Sequence, residues 1–145
     1  MNTSFYIEKL HSSEEFRDFA RENPSAYLCS GFFVIDKEKK DNKIHLDYLN
    51  PKNGKMSSFQ MENGIKVVNL EKIEGRILDE ISEGFEFEFE ELEEIIENEM
   101  EKNNVKSKIQ KIMLSLQRSS GKTHLIGTVF VSTLGIIRVS ISLPE

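Results

Sequence analysis

"SAYLCSGFFVID", which runs from Ser25 to Asp36, decides the fold class of this chain. From Tyr27 onward it is apolar or small on both faces of an extended chain, with Cys29 and Gly31 inside the run. Such a run is typical of a central strand that is covered on both sides. We therefore expect a strand of about ten residues at the middle of a sheet.

The segments that follow predict three further strands. "KIHLDYL" alternates Ile44, Leu46 and Tyr48 inward against His45 and Asp47 outward, as in a half-buried strand. A turn with an Asn-Gly pair comes next, which is a strong hairpin signal. "MSSFQM" and "IKVVNL" then fit two more strands, separated by a turn that also contains Gly. Together these segments predict a four-stranded antiparallel meander.

A short helix is expected before the first strand, in "HSSEEFRDFARENP". Phe16, Phe19 and Ala20 lie on one face at helical spacing. The helix should stop at Asn23, because the residue before Pro24 is disfavoured in the α region.

The middle of the chain leaves alternatives open. Residues 71–88 fit either a loose helix or an irregular crossing, and "FEFEF" at 85–89 fits either a short strand or the entry to a helix. A helix is expected from about Phe89 to a break at Asn103-Asn104. A second helical stripe then follows, ending near Ser119-Ser120 with Gly121 in the left-handed position, and its members are Val105, Ile109, Ile112, Met113 and Leu116. Two strands, "THLIGTVFVS" and "IIRVSISLP", complete the chain as a hairpin.

We accordingly predict one α+β domain over residues 1–145, with an N-terminal helix, an antiparallel β-meander, a long or kinked helix packing on the sheet, and a C-terminal β-hairpin. This order of elements resembles the cystatin-like and PepSY-like domains, which implies a helix packed across a curled antiparallel sheet. The Q-x-V-x-G loop of cystatins is absent, so no site residues carry over. The order also resembles the type III secretion chaperones, which are small, acidic and dimeric.

"SGKT", from Ser120 to Thr123, resembles the end of a phosphate-binding loop. Such a loop needs a strand before it, a helix after it and a Gly five positions before the final Gly-Lys. Here a helix is expected before it and a strand after it, and Leu116 stands where that Gly is required. Without a helix N-terminus there is no converging set of N–H groups for a phosphate. We therefore expect no nucleotide site here.

Charge is distributed very unevenly along the chain. Residues 71–101 carry 2 basic and 14 acidic side chains, whereas residues 102–122 carry 6 basic and no acidic ones. The contrast can be structural, because such charges complement a helix dipole and could pair across a helical hairpin. It can also be functional, as an acidic docking surface for a partner with a basic surface. The residues predicted to contact that partner are Phe85, Phe87, Glu90, Glu91, Glu93 and Glu94; the two Phe side chains would be exposed unless the sheet or the partner covers them.

Several other functions have no support in the sequence. The three His lie far apart and in no metal-ligand spacing, and the single Cys29 allows no paired thiolate site, so no metal or cofactor is expected. No nucleophile elbow is present, and the 25 acidic residues give no reason to single out two for catalysis. The basic run lacks interleaved aromatics, so nucleic acid is not expected as a partner.

We therefore expect a cytoplasmic, non-catalytic interaction module with an acidic helix surface, which could be a homodimer. The lone thiol fits a reducing compartment, and the N-terminus shows no signal peptide. No window approaches the roughly 20 apolar residues of a membrane span, so no membrane partner is expected. The alternatives are a small-ligand-binding protein or enzyme with a pocket between helix and sheet, and a secretion-type chaperone.

Overall fold

A computed structural model describes residues 2–70, 78–133 and 135–143 of the chain. The described residues form three helices on one antiparallel seven-stranded sheet, in agreement with the predicted α+β class. The helices are α1 (Thr3–His11), α2 (Glu14–Glu22) and α3 (Phe89–Lys102). The strands are β1 (Tyr27–Asp36), β2 (Lys43–Asn50), β3 (Lys55–Gln60), β4 (Lys66–Leu70), β5 (Ile109–Ser119), β6 (Lys122–Val131) and β7 (Ile136–Ser142).

The strand order is β4-β3-β2-β1-β5-β6-β7, with every neighbouring pair antiparallel. β1 is the middle strand, as its sequence predicts, and it pairs with β2 on one side and β5 on the other. The first four strands form the predicted meander, and β6 and β7 form the predicted C-terminal hairpin. Within the described residues, β4 and β7 are the two edges of the sheet.

All three helices cover one face of the sheet, which we call the covered face. Its side chains recur at every second position, and the buried ones include Phe33 on β1, Leu46 on β2, and Leu114 and Leu116 on β5. The opposite face holds a smaller buried cluster of Cys29, Leu49 and Met56 against Tyr27 and Leu78. The apolar side chains on each face of β1 therefore pack against apolar side chains from other elements.

The N-terminal part contains one helix that the sequence pattern did not indicate. α1 starts after Asn2, whose side chain accepts a hydrogen bond from the Ser4 N–H, and it buries Ile7 and Leu10 in the core. α2 is the predicted helix and ends as expected, with Asn23 as its C-cap. Phe16 and Phe19 of α2 pack on the rings of Tyr48 and Phe59.

α3 begins at Phe89, as predicted, and buries Phe89, Leu92, Ile96 and Met100 at helical spacing. It ends at Lys102, and Asn104 adopts a left-handed conformation with φ of 57°. The break predicted at Asn103-Asn104 is therefore confirmed.

The predicted second helical stripe is wrong, because residues 109–119 form strand β5. Ile109, Ile112 and Leu116 do fit helical spacing, but Ile112, Leu114 and Leu116 fit a strand period equally well and are all fully buried. Pairing with β1 and β6 on its two sides selects the extended form. Nonlocal packing commonly overrides a local pattern in this way.

Gly121 consequently lies in a hairpin turn and not at a helix end. Ser120 and Gly121 have φ of 52° and 75°, the pair of positive values that a two-residue type I′ turn requires. β6 then begins at Lys122, one residue before the start of the predicted strand "THLIGTVFVS". "SGKT" therefore joins two strands, and the expected preceding helix is corrected to β5. Since no helix follows the turn, this segment lacks the helix N-terminus of a phosphate-binding loop.

Candidate functional site

The two aromatic members of the predicted contact surface lie inside the core. Phe85 and Phe87 are only 7% and 6% exposed. The Phe87 ring lies 5.4 Å from that of Phe33 on β1 and 5.7 Å from that of Phe89. The Thr3 N–H of α1 donates to the Phe87 carbonyl, at 3.2 Å, and the Phe87 N–H donates to the Thr3 hydroxyl. The sheet and α1 thus cover the two rings and remove them from the accessible surface.

The acidic members of the predicted surface lie on α3. Glu90, Glu91 and Glu94 are exposed. Glu93 is partly buried, and its carboxylate accepts a hydrogen bond of 2.6 Å from Lys37 Nζ. The helix carries seven glutamates but only one lysine, Lys102. Its solvent side is therefore a strongly negative surface.

The acidic and basic blocks do not pair across a helical hairpin, because residues 109–119 form strand β5 and not a second helix. The basic block begins in Lys102 of α3 and continues along the connection to β5 and the hairpin that follows. Between the two blocks, the described ion pairs include Glu99 with Lys102, at 3.4 Å within one turn of α3. Such an exposed pair contributes about 0–1 kcal/mol. Six of the seven glutamates of α3 are exposed, so most of the negative charge of the helix faces solvent.

An apolar groove of about 620 Å³ runs between α3 and the edge strand β7, and we call it the α3–β7 groove. The helix contributes Ile95, Ile96 and Met100, and the strand contributes Ile137, Val139 and Ile141. Ile95 is 47% exposed, and the three strand residues are half-buried. Polar groups line its margins, among them Glu99, Asn103 and Arg138. The groove thus combines an apolar floor with an acidic helix beside it.

The opposite flank of α3 has a different character. A depression of about 780 Å³ there is lined mainly by charged and polar residues, including Lys37, Glu97, Glu101 and Lys106. It is larger, but seven of its ten lining residues are charged or polar, whereas only five of the twelve that line the α3–β7 groove are. Protein interfaces are distinguished by a buried apolar centre with a polar rim. We therefore take the α3–β7 groove as the candidate site.

The sequence pattern did not single out the strand side of this groove. Ile137, Val139 and Ile141 alternate with Arg138 and Ser140, which is an ordinary half-buried strand pattern. The period-two signal could show that one face is apolar. It could not show that β7 is an edge strand which α3 covers incompletely.

A polar cluster ties α1 to the sheet at a distance from this groove. The Tyr48 hydroxyl donates a short hydrogen bond to Glu83, whose other carboxylate oxygen lies 3.1 Å from His11 Nε2. Burial, followed by the hydrogen bond to Glu83, raises the pKa of Tyr48 far above its ordinary value. Tyr48 therefore remains a hydrogen-bond donor, and the cluster fastens the end of α1 to β2.

The outward pair predicted on β2 is also engaged in local contacts. His45 makes a short contact with Glu62, and Asp47 accepts a hydrogen bond of 2.7 Å from Ser30. In the described ranges, no group of three or more His, Cys, Asp or Glu side chains is placed to hold a metal ion. Of the helices that the structure describes, none is long and apolar enough to cross a membrane.

We expect Cys29 to resist alkylation in the folded protein. Burial raises the pKa of its thiol to about 11, and its Sγ lies 3.4 Å from the carbonyl oxygen of Asp47. Since the thiolate is the reactive form, little of it is present at pH 8. Iodoacetamide at pH 8, followed by mass spectrometry, should modify the native chain at least about tenfold more slowly than the chain in urea. Equal rates in the two states would contradict this burial.

No protein-family model, curated protein or solved structure matches this chain. Its function must therefore be argued from the arrangement of its own residues.

Proposed function

We propose that this chain is a non-catalytic interaction module that binds a protein segment bearing apolar and basic side chains in the α3–β7 groove. The observation that carries the proposal is the groove itself. Apolar side chains line both of its walls, half-buried on β7 and exposed at Ile95 on α3. The wall formed by α3 belongs to a helix with seven glutamates, of which Glu99 lines the groove. Apolar contact would supply affinity, and the acidic helix would favour basic partners and accelerate their association. A secretion-type chaperone would be one member of this class.

We also propose that the protein works in the cytoplasm. Cys29 is a buried thiol, and an unpaired thiol fits a reducing environment such as the cytoplasm.

A second candidate is a small apolar ligand held in the same groove. Its volume of about 620 Å³ lies within the usual range of small-molecule sites. Native mass spectrometry of the gently purified protein separates the two candidates. Additional mass of a few hundred daltons would favour a small ligand, and a doubled mass would favour a homodimer. The bare chain mass would leave the groove free for a protein segment.

The proposal can be tested by selecting from a phage-displayed library of random twelve-residue peptides against the immobilised chain. Selected peptides should be enriched in aliphatic and basic residues. Their affinity, measured by fluorescence anisotropy, should fall when Ile95 is replaced by Ser. Val67→Ser on β4 is the matched control, because Val67 is also an exposed aliphatic residue but lies at the opposite edge of the sheet. Equal loss in both variants would contradict binding in the α3–β7 groove.

Neutralising the exposed acids of α3 should weaken the selected peptides at low ionic strength. In the triple variant Glu90→Gln, Glu91→Gln and Glu94→Gln, we expect the Kd to rise about tenfold, because each exposed pair contributes about 0–1 kcal/mol. The difference should nearly vanish at 1 M salt, where the screening length is about 3 Å. Glu93 is left intact because it pairs with Lys37.

The control for this variant removes the same charge from another helix. Glu14, Glu15 and Glu22 are exposed on α2, which packs over β2 and β3. Replacing these three with Gln should leave the Kd within about twofold of the wild-type value. If both triple variants weaken binding equally, net charge and not the surface of α3 attracts the peptide.

A further inference from the structure

Among the residues that the structure describes, no strand pairs with the outer edge of β7, which leaves a row of outward backbone hydrogen-bonding groups. At one end of the strand the Val131 N–H donates to the Gly135 carbonyl, and at the other end the Leu143 N–H donates to the Thr123 carbonyl. In an antiparallel pair, hydrogen-bonded positions recur at every second residue. The odd-numbered residues of β7 therefore point their backbone groups toward β6. The even-numbered ones, from Ile136 to Ser142, point theirs away from it.

The same alternation explains which atoms line the groove. Ile137, Val139 and Ile141 direct their side chains to the covered face, beside α3. Arg138 and Ser140 pair with Thr128 and Ile126, on the other face of the sheet. Both nevertheless line the groove, so it reaches round the edge of the strand to the free backbone groups. The apolar row and the free N–H and C=O groups thus form one continuous surface.

Within the described residues, this edge also has little of the usual protection against strand pairing. Edge strands are commonly kept short or interrupted by Pro or Lys. β4, at the other edge, has five residues and includes Lys66. β7 has seven residues, with Arg138 as its one charged residue and no Pro. A regular apolar edge of this kind is a template for an added strand.

We propose that the partner segment binds to β7 in extended form, as an eighth strand of the sheet. Its backbone would pair with the free groups of the even-numbered residues. Its alternate apolar side chains would enter the α3–β7 groove beside Ile137, Val139 and Ile141, and basic residues flanking them would meet the field of the α3 glutamates. This inference rests on the proposed function and specifies how the groove is used.

The test uses a fluorescein-labelled peptide of sequence Lys-Lys-Val-Thr-Val-Thr-Val-Thr-Val-Lys-Lys, measured by anisotropy with the full chain. Ser140→Pro removes one free N–H at the outer edge and leaves the ladder to β6 intact, since Pro is tolerated at edge positions of this kind. It should raise the Kd about tenfold or more. Ser140→Ala changes the side chain but keeps the N–H, so its Kd should match the wild type. Equal affinity of Ser140→Pro and Ser140→Ala would overturn strand addition.

Amide exchange measured by NMR gives a second, independent readout. On addition of the peptide, exchange should slow at Ile136, Arg138, Ser140 and Ser142, while the already bonded odd-numbered amides of β7 change little. A helical segment lying in the groove would produce no such alternation, and its absence would overturn the inference.

The outcomes also separate this inference from the proposed function. Loss of binding in Ile95→Ser, with no loss in Ser140→Pro, would leave the groove as the site but overturn strand addition. Wild-type affinity in both variants would contradict binding of the peptide in the α3–β7 groove. No binding of the peptide to the wild-type chain would overturn the stated partner chemistry. A dimer that Ser140→Pro converts to monomers would show that a second copy occupies the edge.

Discussion

Replacing Phe87 with Ala is expected to lower the free energy of unfolding by about 3–5 kcal/mol, the usual cost of removing a buried Phe. The ring is 6% exposed and lies 5.4, 5.7 and 6.0 Å from the rings of Phe33, Phe89 and Phe85. Its loss would open a cavity between the covered face and α3, and the neighbouring rings could close it only partly. Urea unfolding followed by circular dichroism measures the change directly.

Phe5→Ala is the matched control for that measurement. Phe5 is 53% exposed on α1, so its removal should cost less than about 1 kcal/mol. If Phe87→Ala proved as mild as Phe5→Ala but abolished peptide binding, Phe87 would contact the partner and our placement of it in the core would be wrong. If Phe87→Ala is strongly destabilising, weakened binding in that variant reports unfolding and not a lost contact.

The sequence predicted those parts of the fold whose local pattern allows one interpretation. The run of apolar or small residues in β1 and the alternation of β2 each fit one kind of element, and so does the stripe of α3 from Phe89. Residues 109–119 fit two kinds, because Ile109, Ile112 and Leu116 satisfy helical spacing while Ile112, Leu114 and Leu116 satisfy a strand. Only the pairing with β1, more than 70 residues earlier in the chain, resolves them.

The candidate site was less predictable than the fold, because it depends on strand order. The acidic surface of α3 follows from a glutamate-rich helix and could be anticipated. The groove exists because β5 enters the sheet beside β1, which places β6 and β7 successively further out and leaves β7 at the edge. The burial of Phe85 and Phe87 likewise depends on residues far away in the sequence. "FEFEF" cannot reveal that Phe33 and Thr3 lie close enough to bury Phe87, on which Phe85 then stacks.

Gly127→Ala is expected to cost about 3 kcal/mol or more, and the variant could fail to fold. Gly127 lies on β6 opposite Leu114 of β5. A Cβ atom at this position would lie 1.8 Å from the Met113 carbonyl oxygen and 2.8 Å from its carbonyl carbon. Both are backbone atoms, so no rotation of a side chain relieves the clash. β5 would have to move away from β6, which would disturb a ladder at the centre of the sheet.

Gly31→Ala provides the comparison, because the sequence shows both glycines alike, each in the middle of a strand and before an apolar run. A Cβ at Gly31 would meet the Leu116 Cβ at 3.3 Å and the His45 carbonyl oxygen at 3.4 Å, which small shifts can accommodate. We expect a cost of about 1 kcal/mol there, measured by urea unfolding as for the other variants. Similar costs at the two positions would show that β5 and β6 are not held as closely as described. A large difference would show that the backbones of β5 and β6 approach each other more closely at Gly127 than those of β1 and β5 do at Gly31. β6 pairs in turn with β7, the proposed binding edge.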